Sequence, residues 1–484
     1  MNNKPQLERS LGLSTAILLV ISSMIGSGIF KKIAPMSEQL PDSNLILLAW
    51  LLAGVVSMLG VFTYAGLSSM TEEGGGQFEY FRIIYGKFFG YLFGWTCFAV
   101  IQSASIASIA YVFSQSVNNL LPMGDPLAAW ADISIAGKIF PFSNSGVKIF
   151  TIITIAVLTL INYYGVKKGG LLNDVFSAAK IAGIVFLIIA GLALHGTVSE
   201  DASINVPELA QGLSLLSTMF AAMLAAFWAY DGWINISYIG GEVKNPKKNI
   251  PIAIIGGTAV VMLLYTLVNY VYLHVLPVSS FIAIKNSDNQ IAAAEVAQHL
   301  LPGFGFTLIS ILIMICTFGA TNASLMSSPR IYHQMAKKNL FFKSFGETHP
   351  KYHTPHISLF YQMIWSSVLV ISGTFDQLTD MLIFASFIAY GSGAAGLLYM
   401  KYVGKKIQMP DGTVQHQRIT AKVIGFPVIP IVFLLFCIAL VGNTLFTYTS
   451  ESLTGLAFIA IGIPLYFVFQ KSKNRSIDPI DKLE

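Results

Sequence analysis

Twelve long apolar runs constrain this chain more than any other feature: 11–40, 45–69, 88–115, 147–164, 171–194, 213–239, 250–275, 304–327, 357–373, 378–400, 423–446 and 453–469. A bilayer-spanning helix needs about 20 predominantly apolar residues. The runs are continuous rather than alternating, which favours helices over an outer-membrane barrel. Only 11% of the 484 residues are charged, less than half of the roughly 25% of a soluble domain. So much apolar surface cannot be hidden inside soluble domains, so the surrounding solvent must be lipid. The expected fold is all-α and integral to the membrane, with twelve transmembrane helices. The first run resembles a signal-peptide core, but no A-x-A site follows it and further spans do, so it is read as an uncleaved helix. Cys97, Cys316 and Cys437 all lie in apolar stretches, which excludes a disulfide scaffold.

Twelve crossings put both termini on one side, and basic residues choose the cytoplasm. With the termini there, only Lys31, Lys32, Lys138, Lys148 and Lys285 fall outside, and Lys180 falls within a helix. The remaining Lys and Arg, from Lys4 and Arg9 to Lys473, Arg475 and Lys482, are then cytoplasmic. The net charge of +5 is thus an orientation signal rather than a nucleic-acid footprint. A multi-pass plasma-membrane protein with both termini cytoplasmic is expected.

Two runs carry helix breakers at corresponding depth. In the first, Ser22-Ser23-Met24-Ile25-Gly26-Ser27-Gly28 puts glycines and serines where lipid favours leucine. In the sixth, Trp228-Ala229-Tyr230-Asp231-Gly232-Trp233 puts a carboxylate beside a glycine. Irregular backbone at membrane depth is tolerated only against protein or a water-filled cavity, and paired breaks in two halves point to a transporter site. A broken helix exposes N–H groups on one half and C=O groups on the other, which suit a carboxylate and an ammonium. The bland alternative is that the glycines merely let helices approach closely. The spacing of five helices suggests two inverted five-helix repeats, 1–200 and 201–402, with two further helices and a tail in 403–484.

Lys180 and Asp231 are the two ionisable residues placed well inside helices. Lys180 lies nine residues after Leu171, about 13 Å into the bilayer at about 1.5 Å per residue. Charges so deep face a polar path or a partner. Gln102, Ser103, Ser105 and Ser108 in the third run, and Thr321, Asn322 and Ser324 in the eighth, line a pocket or join helices by hydrogen bonds. His349, His353 and His356 have a spacing that invites a metal reading, but no acidic or cysteine partner sits at ligand spacing, and a solvated loop is expected.

At these residues a family resemblance emerges. Gly26-Ser27-Gly28-Ile29-Phe30, the loop from Gly74 to Gly86, Ala229-Tyr230-Asp231-Gly232-Trp233 and the segment from Gly241 to Pro251 follow in a familiar order. Together they resemble the amino acid–polyamine–organocation superfamily, in the branch of L-type amino acid transporters with its bacterial serine/threonine-exchanger-like members. The resemblance implies the LeuT-like fold of two inverted five-helix repeats with broken helices one and six. It implies a substrate-binding set of Met24, Ile25, Gly26, Ser27, Gly28, Trp228, Tyr230 and Asp231. The carboxylate would take N–H groups of residues 26–28, the ammonium would take carbonyls of Met24, Ser27, Trp228 and Asp231, and Trp228 would be the gate. Gln102, Ser105 and Asn322 are candidates for the side-chain pocket. Lys180 matches a lysine whose ammonium stands where sodium-coupled relatives place sodium, which implies sodium independence. No cofactor or metal is implied. Residues 116–146 hold no cysteine, so the disulfide-linked heavy chain of animal members is not expected.

The expected function is sodium-independent exchange of small neutral L-amino acids by alternating access, with proton-coupled symport as the alternative. An ion channel lacks a filter sequence here, and no catalytic constellation marks the chain as an enzyme.

Overall fold

The computed structural model describes residues 9–135, 139–194, 206–285, 291–408 and 414–471, excluding the side chains of 166–172, 406–408, 414–417 and 470–471. Lys4, Lys138, Lys473, Arg475, Lys482 and the expected boundary at 200 lie outside the described residues.

The first apolar run is three pieces: α1 (Leu13–Met24), α2 (Gly28–Lys31) and α3 (Ile33–Gln39). Asp42 caps α4 (Ser43–Leu67), its carboxylate accepting the Leu45 N–H at 2.9 Å, which satisfies one of the donors a helix start leaves open. The loop Gly74–Gly76 leads into α5 (Gln77–Tyr85), and Gly75 and Gly76 have positive φ there. A single long span follows, built of α6 (Lys87–Thr96), a π-turn at Cys97–Ile101 and α7 (Gln102–Leu120). Then come α8 (Ser145–Tyr163) and α9 (Val166–Ala193).

The next group repeats the opening theme. α10 (Leu213–Tyr230) and α11 (Asn235–Tyr238) are the halves of a second interrupted helix. They precede α12 (Pro246–Val275), the short α13 (Val278–Lys285) and α14 (Ala292–Leu300), α15 (Gly305–Ser327) and α16 (Pro329–Lys337). α17 (His356–Ser372) and α18 (Phe375–Tyr402) follow, the latter started by a capping box between Thr374 and Gln377. Among the described residues, eleven segments are long and apolar enough to cross a membrane, and α17 is a shorter apolar helix of 17 residues.

A departure from an all-α chain comes next. β1 (Lys405–Gln408) and β2 (Val414–Gln417) form an antiparallel hairpin with Lys405 opposite Gln417 and Gln408 opposite Val414. Residues 409–413 between them lie outside the described residues. α19 (Val428–Thr447) and α20 (Thr449–Lys471) end the described chain.

α1 packs against α9, α12 and α15, while α7 packs on α15 and α4 on α10 and α12. α1 also touches α11, and α2 touches α10. The two interrupted helices therefore run antiparallel through the centre, break beside break.

Candidate functional site

Stopping α1 at Met24 leaves carbonyls that would have been paired one turn later. Ile25 has φ −75° and ψ 89°, outside the helical region. The freed carbonyl oxygens find specific donors. Lys180 Nζ, fully buried, donates to the oxygens of Ser22 and Ile25, each at 2.9 Å, and to Ser22 Oγ at 3.0 Å. Tyr265, from α12, donates its hydroxyl to the Met24 oxygen at 2.8 Å. A lysine and a tyrosine thus replace the missing turn of helix. On the other half, the N–H groups of Gly26, Ser27 and Gly28 have no backbone acceptor among the described residues.

The second break is built differently. α10 ends at Tyr230, Asp231 turns extended at ψ 161°, and Gly232 takes φ +101°, a conformation that glycine adopts at no steric cost. A Cβ at Gly232 would stand 2.7 Å from the Ser23 oxygen. The Asn235 N–H returns to the Gly232 oxygen at 3.1 Å and starts α11. Asp231 accepts the Tyr390 hydroxyl of α18 at 2.6 Å. Trp228 donates its indole N–H to Ser27 Oγ at 3.3 Å, tying the two breaks together.

Between the breaks lies a small cavity, lined by Ser23, Met24, Gly26, Ser27, Gly28, Ser105, Ile109, Trp228, Asp231, Gly232 and Asn235. Its open space is about 10 Å³, about that of a single water. Ser23 Oγ is buried in it with no hydrogen-bond partner among the described residues.

The expected residues divide accordingly. Met24, Gly26, Ser27, Gly28, Ser105, Trp228 and Asp231 meet at this cavity. Lys180 stands behind it, on the carbonyl side of the first break. Ile25 is buried and contributes its carbonyl to Lys180 rather than a surface to the cavity. Tyr230 turns away, its ring 6.0 Å from Trp50 and 5.2 Å from Tyr265. Gln102 reaches the cavity at second hand, donating to Asn235 Oδ1 at 3.3 Å. Asn322 accepts from Asn162 of α8 at 2.8 Å, an interhelical bond and not a cavity wall. Gly28 answers to the packing reading. A Cβ there would lie 2.6 Å from the Ala229 Cα, so it lets α2 press against α10. At Gly26 the same atom would meet only Ala320 Cβ at 3.4 Å and Ile109 at 3.8 Å.

Beyond the expected binding residues, the wall holds Ser23 and Gly232 from the two breaker stretches together with Ile109 and Asn235, and Tyr265 and Tyr390 serve as props. Gly232 and Asn235 carried a usable signal, a glycine break followed three residues later by a polar side chain. The two tyrosines carried none, because their partners are distant in sequence. His349 Nδ1 accepts the N–H groups of Lys351 and Tyr352, both at 3.2 Å.

Many apolar spans around two antiparallel interrupted helices, whose breaks enclose a polar cavity, define a multi-pass membrane transporter. The chain belongs to the amino acid permease family, whose model matches residues 11–469. It is 27% identical over 471 residues to the serine/threonine exchanger SteT of Bacillus subtilis (strain 168), covering 96% of this chain and 98% of that protein. It is 26% identical to the human b(0,+)-type amino acid transporter 1, over 96% of this chain and 88% of that one. The human large neutral amino acids transporter small subunit 2 is also 26% identical, over 96% and 80%.

Proposed function

We propose that this protein exchanges small neutral L-amino acids across the membrane by alternating access and without sodium. The observation that carries the reading is the Lys180 ammonium on the Ser22 and Ile25 oxygens. A fixed cation already holds the carbonyls that a bound metal ion would otherwise have to bridge. The N–H groups of Gly26 and Ser27 remain for a carboxylate, aided by the partial positive charge of a helix start. Carbonyl oxygens at the end of α10 would take an ammonium, the Trp228 oxygen already accepting the Asp231 N–H at 3.4 Å, and Trp228 lines the cavity on one side. Ser105, Ile109 and Asn235 line the cavity beside the breaks, where a substrate side chain would lie once the cavity opens. The basic residues support cytoplasmic termini and a plasma membrane, in a bacterium the inner one. Cys97, Cys316 and Cys437 are buried, out of reach of a disulfide to another subunit, and the proposed transporter works without one.

A second reading, proton symport, rests on Asp231, a carboxylate enclosed in the helix-six break with no cation in ion-pair contact among the described residues. Counterflow separates the two. Uptake of labelled L-alanine or L-serine should require internal amino acid, and amino alcohols lacking the carboxylate should not be carried. Undiminished uptake into empty liposomes under a proton gradient selects symport, and efficient uptake of an amino alcohol removes the carboxylate assignment.

A further inference from the structure

A second cavity, of about 560 Å³, is lined in part by Lys31, Lys148, Lys285, Phe375 and Asp376. The proposed orientation places it on the external side. Phe375 joins it to the central cavity, for its ring meets that of Trp228 edge-on at 6.0 Å and 83°. The vestibule therefore adjoins Trp228.

Its charges do not balance. Lys32, buried beside it, takes up Asp376 at 2.7 Å, donates to Thr379 at 2.8 Å and lies 3.8 Å from Asp380. Lys285 shares the same Asp376 at 3.6 Å. Lys31 donates instead to the neutral Gln115 Oε1 at 2.9 Å and lies 4.8 Å from the Phe375 ring centre. Lys148 donates to the carbonyl oxygens of Phe140 at 2.6 Å and Pro141 at 3.3 Å. Neither has a carboxylate in ion-pair contact among the described residues. Asp376 acts on Lys31 and Asp125 on Lys148 only from beyond ion-pair contact, and an excess of ammonium groups in a cleft raises the local potential and draws in an anion.

We propose that this vestibule is an outer carboxylate site, in which Lys31 and Lys148 receive the carboxylate of an amino acid before it passes Trp228. The inference rests on the proposed transport function. The same excess of positive charge disfavours cationic amino acids at the external mouth.

The test uses the full chain in proteoliposomes. Lys31→Gln should raise the external KM for L-alanine about five-fold, roughly the worth of one partly exposed charged contact, and move Vmax less than two-fold. Lys31→Arg should restore the KM. Higher ionic strength should raise the wild-type KM and leave that of Lys31→Gln/Lys148→Gln nearly flat. A Lys31→Gln KM equal to wild type, or a rise that Lys31→Arg shares, overturns the site. Propionate titration of the purified protein, read by thermal shift, is independent of transport. Stabilisation of the wild type that is lost in the double variant supports the site, and equal or absent stabilisation overturns it. If no amino acid is carried, the transport reading falls and the propionate titration still decides the vestibule.

Discussion

Replacing Lys180 by alanine would leave the Ser22 and Ile25 oxygens buried without their donor. Each unmade buried hydrogen bond costs about 1–3 kcal/mol. The cost falls on the contact between α1 and α9, so exchange should slow about ten-fold or more while equilibrium binding of L-alanine stays measurable. Loss of binding together with transport would show that the ammonium touches substrate instead. The glycines give a sharper contrast. Gly28→Ala meets the backbone of Ala229 and should lower the melting temperature and yield, whereas Gly26→Ala meets ordinary contacts and should fold as wild type. Equal thermal stability of the two variants would contradict the packing account of Gly28. Gly26 and Gly28 look alike in the sequence. What separates them is a neighbour about two hundred positions away, which no local pattern encodes. The same holds for Asp231, whose place at the break is legible in the sequence and whose Tyr390 partner is not.

Elements lock the molecule at the end opposite the lysine-lined vestibule. The segment Gly240–Glu242 sits over α16, where buried Arg330 meets buried Glu242 at 2.8 Å. The Leu11 N–H bonds the Glu242 oxygen at 3.0 Å, and the Lys244 N–H bonds the Leu11 oxygen at 2.9 Å, stitching the entry to α1 onto the same segment. Removing one partner of a buried pair typically costs about 3–5 kcal/mol, and removing both costs less. Glu242→Met should therefore lower the melting temperature of the purified protein more than Glu242→Met/Arg330→Met does. A double variant as unstable as the sum of the singles would show that the two residues are uncoupled. At this scale the interrupted helices were legible, because two breaker-rich stretches recur at one depth. The short α13 and α14 and the β1–β2 hairpin were not, since brief amphipathic segments between spans leave no long hydrophobic signal. The twelve-run reading also gave α17 equal standing, although it is the shortest of the apolar helices considered.

The whole molecule is closed around its centre. The central cavity offers about 10 Å³, against about 560 Å³ in the vestibule and about 640 Å³ in the cavity beside Arg330 and Glu242. Under the proposed function, an amino acid enters only when the helices around this cavity part. Substrate shifts such an equilibrium only through its different affinity for the open and closed arrangements. The amine that links α1 to α9 belongs to the chain, so under the proposed function no ion needs to bind for closure. The most direct measurement is labelled L-alanine exchange in preloaded liposomes with sodium fully replaced by choline, for wild type and Lys180→Ala in parallel. The account predicts equal wild-type rates in the two buffers and a slow variant in both. Strict sodium dependence of the wild type would contradict it.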